Sequence, residues 1–252
     1  MRVVHAHTQP DHQVRLEWGP TGAAAIARTA DVAVVIDVLS FTTSVSVAVD
    51  RGITVFPYRW ADEGAAAYAE ERGANLALQR QDARFRPGSV SLSPVSLQRA
   101  RGIERLVLPS PNGSTICAVL AETGVTVVAA CLRNARAVGE WLAPQVAAGT
   151  VVAVVPAGER WPDGSLRPAA EDYWGAAAVL DSLDPSLLSP EARLARDAYA
   201  GFAERPLEHL TGCASGRELI EKGFADDVAI AGRLHTSEVV PVLTGGAFVG
   251  GR

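Results

Sequence analysis

The sequence predicts a three-layer α/β/α protein whose central sheet is largely parallel or mixed. Short apolar runs that do not alternate with polar residues are typical of strands buried on both faces of a sheet. Segments rich in Ala, Leu and Glu separate these runs and favour helices. Because strands and helices alternate along the chain, we expect helices on both sides of the sheet. The length of 252 residues fits one domain over 1–252, or two closely packed subdomains.

Most of the predicted strands end in polar or small residues and lead into a predicted helix. The strands are Val32–Ile36, Thr54–Tyr58, Leu106–Leu108, Val125–Ala130 and Val151–Val155. The helices are Thr42–Val49, Ala61–Arg72, Ser114–Glu122, Ala135–Ala148, Glu171–Leu183 and Ala192–Arg205. The stretch Asp82–Leu97, rich in Ser and Pro, predicts a long loop or an irregular strand pair. The glycine-rich tail around Gly245 and Gly250 predicts a mobile end.

The composition argues against several classes of protein. With 48% apolar and 20% charged residues, the chain is not expected to be disordered. A net charge of −5, without a block of Lys or Arg, argues against nucleic-acid binding. We recognise neither a signal peptide nor an apolar stretch long enough to cross a bilayer. We therefore expect a cytoplasmic protein without a membrane partner, and a homo-oligomer stays open.

The cysteines and histidines do not form metal-binding patterns. Cys117, Cys131 and Cys213 are odd in number and widely spaced, which predicts free thiols. The five histidines form neither His-x-x-x-His nor His-Glu-x-x-His, so we interpret them as surface residues.

Polar side chains lie close behind four of the predicted strands. They are Asp37, Asn112, Asn134 and Glu159. In open parallel sheets, ligands bind beyond the carboxyl ends of the strands. We therefore expect these residues, far apart in sequence, to share one crevice.

Asp37 follows directly after Val32–Ile36, where the core meets solvent. It is a candidate magnesium ligand or nucleophile. The alternative is an N-cap for the helix that starts near Thr42, although Asp37 lies early for a cap.

The segment Ser110–Thr115 is a glycine-containing turn that leads into a predicted helix. Free N–H groups and the helix dipole suit a phosphate or sulfonate there. The alternative is an ordinary turn with Asn112 or Ser114 as the capping residue. The segment lacks the Lys and the spacing of a P-loop, so nucleotide binding is not indicated.

Glu171 and Asp172 open another predicted helix. Adjacent acids at a helix start are often partners of the helix dipole. They are also hard oxygen ligands of the kind that Mg²⁺ prefers. The preceding loop, Glu159–Pro168, contains Gly and Pro, as an active-site flap would.

Several short motifs in order give the chain a resemblance to the 2-phosphosulfolactate phosphatase family. The motifs are Val34–Leu39 with Thr42 and Thr43, Asn112–Ser114, Asn134–Val138, Ala157-Gly158, Glu171-Asp172, Gly216–Leu219, Gly223–Val228 and Val240-Pro241. The resemblance covers nearly the whole chain. It implies an α/β/α fold and a Mg²⁺-dependent phosphatase that converts 2-phosphosulfolactate to sulfolactate and phosphate, within coenzyme M synthesis.

The chain departs from the family at positions that usually carry cations. Ser40-Phe41 stand where the family usually has Arg-Ala, and Thr115 stands where it usually has Arg. The family's Gly-Glu-Arg stretch is Leu78-Gln79-Arg80 here. Candidates to supply the missing charge are Arg80, Arg133 and Arg160.

These residues give a hypothesis for the site. Asp37, Glu171 and Asp172 would hold Mg²⁺ or orient its waters, and the ion would polarise a phosphoryl oxygen and lower the pKa of a bound water. Backbone groups at Asn112, Gly113 and Ser114 cradle the phosphate. Asn134 orients substrate or water, and Arg80 meets the acidic end of the substrate.

Other interpretations remain open at this point. Direct attack by Asp37 is one, although Leu39 stands where haloacid-dehalogenase-type phosphatases carry a second Asp. A non-catalytic protein that binds a small anion is another. A nucleotide-dependent transferase is a third, but neither a P-loop nor Gly-x-Gly-x-x-Gly supports it.

Overall fold

The computed structural model describes residues 4–59, 63–83, 86 and 89–251. The strands in these ranges are β1 (Val14–Leu16), β2 (Val32–Ile36), β3 (Thr54–Tyr58), β4 (Asn75–Leu76), β5 (Arg105–Pro109), β6 (Thr126–Ala130), β7 (Val152–Pro156), β8 (Glu159–Arg160), β9 (Leu166–Arg167), β10 (Pro241–Thr244) and β11 (Ala247–Gly250). The α-helices are α1 (Gly19–Ile26), α2 (Phe41–Asp50), α3 (Glu63–Glu71), α4 (Arg80–Ala83), α5 (Pro94–Arg99), α6 (Gly113–Ala121), α7 (Ala135–Ala147), α8 (Ala170–Leu180), α9 (Pro190–Asp197), α10 (Tyr199–Ala203), α11 (Pro206–Gly212), α12 (Ala214–Glu221) and α13 (Ala225–Ala231).

Nine of these strands form one sheet in the order β1-β7-β2-β6-β10-β11-β3-β5-β4, and β8 pairs with β9 as a separate hairpin. The group β1, β7, β2 and β6 is parallel. The group β3, β5 and β4 is also parallel. The antiparallel pair β10–β11 joins the two groups. The prediction of a mixed, largely parallel sheet is confirmed.

The two faces of β2 show why the protein has three layers. Val34 and Ile36 pack in a buried cluster with residues of α7 and α8. Ala33 and Val35 pack in another cluster with residues of α1, α2 and α6. Because successive side chains of a strand point to opposite faces, an unbroken apolar run is buried on both sides. The predicted α/β/α arrangement is confirmed.

The prediction of a mobile tail is wrong. The tail forms the hairpin β10–β11, with Gly245 and Gly246 at the turn at φ values of 58° and 83°. Positive φ at both central residues suits a two-residue hairpin turn, and Gly adopts it without steric cost. Phe248 opposite Val55 and Val242 opposite Val128 place this hairpin in the middle of the sheet.

Two other predicted segments differ from the structure. The predicted helix Ala192–Arg205 is two helices in the structure, α9 and α10, which are separated at Ala198. The first of them begins earlier than predicted, because Ser189 caps α9 ahead of Pro190. In the predicted loop Asp82–Leu97, Ser93 caps the helix α5; residues 84, 85, 87 and 88 of that loop lie outside the described residues. Residues 61 and 62 of the predicted helix Ala61–Arg72 also lie outside them.

Several short elements are not predicted from the sequence. β1 has three residues, and α11, α12 and α13 have seven or eight residues each. None of the helices in the described ranges is long and apolar enough to span a bilayer.

Candidate active site

Asp37 directly follows β2 in the sequence, and 5% of its surface is exposed. Its carboxylate binds backbone N–H groups at the starts of two helices, α2 and α6. Its Oδ1 accepts a hydrogen bond from the N–H of Phe41 at 3.1 Å, and its Oδ2 accepts one from the N–H of Gly113 at 2.9 Å. Thr42 closes the turn, since its Oγ1 donates to the Asp37 carbonyl at 2.8 Å. The capping alternative is therefore realised in part, because Asp37 binds the first N–H of α2.

Asp172 reaches the same turn from the other half of the chain. Its Oδ1 accepts from the N–H of Val38 at 2.7 Å, and its Oδ2 accepts from the N–H of Gly158 at 2.8 Å. Glu171, the preceding residue in the first turn of α8, is 2% exposed. The thiol of Cys213 contacts Glu171 Oε2 at 3.5 Å. The structure thus brings the ends of β2 and β7 and the start of α8 together in one buried acidic cluster.

Burial and neighbouring negative charges raise the pKa of three carboxyl groups in and beside this cluster. Burial raises the pKa of Asp37, and the negative charge of Glu171 raises it further. The pKa of Asp172 is raised well above its ordinary value, first by burial and then by the charges of Glu171 and Asp37. Burial and the charge of Asp37 raise the pKa of Glu159 to about 7. Carboxylates that repel one another in this way favour a cation between them.

The donor chemistry fits Mg²⁺, a hard cation that uses one or two carboxylates and retains several waters. Each carboxylate oxygen of Asp37 and Asp172 accepts one N–H and keeps a further lone pair. Within the described ranges, no three His, Cys, Asp or Glu side chains are grouped so that they could hold a metal by themselves. A magnesium ion there would therefore need water or substrate oxygens besides protein ligands, and the ligand set Asp37, Glu171 and Asp172 stays a prediction.

The turn before α6 is organised differently from the sequence hypothesis. The Gly113 N–H, expected to bind phosphate, is donated to Asp37. The Ser114 hydroxyl points inward and donates to the Leu108 carbonyl at 3.3 Å. Asn112 Nδ2 donates to Glu159 Oε2 at 2.9 Å, and Asn112 makes no side-chain capping bond to α6. Uncapped N–H groups of the first helical turn are the groups left for an anion.

Gly113 is required by close packing. A Cβ atom at this position would lie 2.3 Å from Cδ1 of Phe41 and 3.0 Å from Oδ2 of Asp37. The contact between α6 and the Asp37 turn therefore leaves no room for a side chain.

Arg80 supplies a cation beside the Asp37 turn. Its Nη2 donates to Ser40 Oγ at 2.5 Å, and its Nε donates to Asp227 Oδ2 at 3.1 Å. Its positive charge opposes the rise in the pKa of Asp37. Arg80 thus stands next to Ser40, where the family resemblance leads one to expect an arginine. Arg133 instead pairs with Asp50 at 2.8 Å, and the guanidinium of Arg160 donates to the Gly164 carbonyl.

Asn134 is fully buried, and its side chain forms hydrogen bonds with backbone groups. Its Oδ1 accepts from the Cys131 N–H at 2.8 Å, and its Nδ2 donates to the carbonyls of Ala129 and Val239 at 3.2 and 3.1 Å. Among the described residues, we find no hydrogen bond from Asn134 to Asp37, Gly113 or Asp172. Its role in orienting substrate or water stays a prediction.

The structure gives Glu159 and Asp227 partners in the site. The sequence predicts that Glu159 lies with the other residues that follow strands but gives it no role, and the structure joins it to Asn112 and to the charge of Asp37. Asp227 is 1% exposed and binds Arg80, Ser93 Oγ and the Val95 N–H. Its place in the motif Gly223–Val228 was the available signal for Asp227.

The sequence profile of the 2-phosphosulpholactate phosphatase family matches residues 22–246, a range that contains all the site residues above. The chain belongs to this family. A protein of Deinococcus radiodurans named probable 2-phosphosulfolactate phosphatase is 30% identical over 221 residues, covering 86% of this chain and 89% of the relative. A protein of the same name from Carboxydothermus hydrogenoformans is 29% identical over 215 residues, covering 82% and 84%.

A third relative of that name, from Thermus thermophilus, is 28% identical over 221 residues, covering 85% of this chain and 89% of the relative. Membership of the 2-phosphosulpholactate phosphatase family makes the chain a phosphoric monoester hydrolase. The alternatives of a non-catalytic anion-binding protein and a nucleotide-dependent transferase are not favoured.

Proposed function

We propose that this chain is a Mg²⁺-dependent phosphatase that hydrolyses 2-phosphosulfolactate, or a closely related small phospho-acid, to the free hydroxy acid and phosphate. The observation that carries this proposal is that Asp37 lies close to Glu171 and Asp172 at the carboxyl ends of β2 and β7. The printed names of the relatives support the substrate. Sulfolactate made in this way would serve coenzyme M synthesis.

In this proposal the acids hold the ion and its waters in place. Asp37 and Glu171 are the ligands we favour, with Asp172 fixing the turn through its two backbone hydrogen bonds. A bound Mg²⁺ would polarise a phosphoryl oxygen and lower the pKa of a coordinated water. Both oxygens of Asp37 already accept backbone N–H groups, which supports attack by water over attack by Asp37 itself.

The remaining residues act on the substrate. Asn112 makes no capping bond to α6, so the N–H groups of the first turn that follow Gly113 are offered to the phosphate. Arg80, beside Ser40, neutralises the acidic substrate. Glu159 has a pKa of about 7, so at neutral pH a substantial fraction carries a proton that can pass to the ester oxygen as its bond to phosphorus breaks.

The test is phosphate release from 2-phosphosulfolactate by wild type and Asp37→Asn, with and without Mg²⁺. We expect wild-type turnover to depend on Mg²⁺ and kcat/KM of Asp37→Asn to fall by about 10²-fold or more, since the charge that acts in the transition state is removed. Asp197→Asn, an exposed acid on α9, is the control and should behave as wild type. Wild-type-like Mg²⁺-dependent turnover by Asp37→Asn would refute the assignment.

A further inference from the structure

A cavity of about 560 Å³ lies behind the carboxyl ends of β3, β4 and β5, next to the Asp37 turn. Arg59, which follows β3, lines it together with Arg80 and with Lys222 from the end of α12. Ser110 and Pro111, which follow β5, form another part of its wall. Residues from distant parts of the chain therefore enclose it at the edge of the sheet where ligands bind in α/β proteins.

The charge of this cavity is one-sided. Three cationic side chains line it, and among the residues that the structure describes its lining contains neither Asp nor Glu. The acids that pair with two of these cations, Asp227 with Arg80 and Glu218 with Lys222, are not part of the lining. A neighbouring cavity that also contains Arg80 is lined by Asp226 and Asp227 as well, so it lacks this bias. A site of this kind favours a ligand with a strong negative charge.

Two links place the cavity next to the candidate active site. Arg80 lines it and donates from Nη2 to Ser40 Oγ. Pro111 lines it and is followed by Asn112 and Gly113, whose N–H binds Asp37. A small molecule with its phosphate at the start of α6 can therefore extend another group past Arg80 into the cavity.

We propose that this cavity binds the sulfonate group of the substrate, and that Arg59 and Lys222 determine the preference for a sulfonated phospho-acid. The inference rests on the proposed function. A sulfonate has three oxygens in a tetrahedral arrangement and stays ionised, so it can accept from donors that approach from several directions. Arg59, Arg80 and Lys222 come from three separate segments of the wall and can approach such a group from different sides. A planar carboxylate, in contrast, can be bound by the two parallel N–H groups of a single arginine.

The first test uses the fact that Lys222 is the only lysine in the sequence. The amine of Lys222 forms an ion pair with Glu218, and 53% of the lysine side chain is exposed. An amine-reactive reagent can therefore reach it. The extent of acylation of the Lys222 peptide is measured by mass spectrometry with sulfolactate, with lactate and without ligand. We expect sulfolactate at ten times its dissociation constant to slow labelling about tenfold, whereas lactate does not. Equal labelling in all three samples would overturn the proposal.

The second test measures substrate preference. The variants Arg59→Gln and Lys222→Gln are compared with wild type for kcat/KM on 2-phosphosulfolactate and on 2-phospholactate, which differs by the missing sulfonate. We expect the ratio of the two values to fall about tenfold, mainly through KM, because a charge-assisted contact to the sulfonate is lost. Arg28→Gln, which replaces an exposed arginine that follows α1 in the sequence, is the control and should keep the wild-type ratio. An unchanged ratio in both cavity variants would contradict the proposal.

The two tests separate the failure of this inference from failure of the proposed function. If wild type hydrolyses neither phospho-acid, the proposed function is wrong, and protection of Lys222 still decides whether the cavity binds a sulfonate. If wild type hydrolyses 2-phosphosulfolactate while Lys222 is not protected and the ratio does not change, the cavity assignment is wrong and the proposed function stands.

Discussion

At the scale of single residues, backbone hydrogen bonds to carboxylates hold the acidic cluster in place. Asp37 binds the N–H groups that begin α2 and α6, and Asp172 binds those of Val38 and Gly158. These bonds partly offset the cost of burying the charges. The sequence predicts which acids meet, because each follows or precedes a recognisable element. It does not predict that Gly113 is bound by Asp37 and that Ser114 turns inward, since these contacts depend on how close α6 lies to the Asp37 turn.

Gly113→Ala tests this close packing. The added methyl group would overlap the Phe41 ring and press on the Asp37 carboxylate. We expect a loss of about 1–3 kcal/mol in the free energy of unfolding, as for other overpacked sites, together with a loss of kcat. Urea denaturation and phosphate release measure the two effects. Gly201→Ala, where an added Cβ has open space within α10, should instead be neutral or slightly stabilising. A fully stable and active Gly113→Ala protein would contradict the described packing.

Glu159 predicts a pH dependence of stability in protein kept free of divalent ions. Its pKa of about 7 in the folded protein lies above the ordinary value of 4.5, so between these values the folded state binds more protons than the unfolded state. The free energy of unfolding should therefore fall as pH rises through this window. Asp37 and Asp172, whose pKa values are also raised, act in the same direction.

Denaturation of wild type and Glu159→Gln between pH 4.5 and 7 measures this dependence. The variant should show a shallower fall in stability, because one titrating group is removed. Glu191→Gln, which replaces an exposed residue of α9, should keep the wild-type slope of stability against pH. The same slope for Glu159→Gln and wild type would show that Glu159 does not titrate in this window.

At the scale of elements, the unbroken Val-rich runs of β2 and β7 and the Ala-rich helix α7 are predicted within one residue of their observed bounds. Burial on both faces leaves these strands a simple sequence pattern. The hairpin β10–β11 is missed although Gly245-Gly246 is a recognised hairpin signal. Its place in the sheet depends on pairing with β6 and β3, which are distant in sequence, and no local pattern reports that pairing.

Phe248→Ala tests the position of this hairpin. Phe248 is fully buried and meets the Phe41 ring edge-on, with 6.2 Å between ring centroids. We expect a loss of about 3–5 kcal/mol in the free energy of unfolding, measured by denaturant titration, because a buried ring is replaced by a cavity. Val249→Ala, whose side chain lies on the exposed side of the same strand, should cost much less. A small effect for both substitutions would mean that the tail does not form the centre of the sheet.

At the scale of the whole molecule, the fold brings the two halves of the chain to one edge of the sheet. β2 and β7 are neighbours although more than a hundred residues separate them, so Asp37 and the start of α8 lie close together. The hairpin β10–β11 ties this group of strands to β3 and β5, which carry the cationic cavity. In the proposed function, metal binding and recognition of the acidic substrate would therefore come from the two parallel parts of one sheet.

The stability of the protein as a function of Mg²⁺ tests the central claim that acids from both halves of the chain share a cation. Thermal unfolding is recorded at neutral pH for wild type, Asp37→Asn, Glu171→Gln and the control Asp197→Asn. Mg²⁺ at about 100 times its dissociation constant should stabilise wild type and the control by about 2.7 kcal/mol. Asp37→Asn and Glu171→Gln should each lose most of this effect. Equal stabilisation of all four proteins, or none in wild type, would contradict the account.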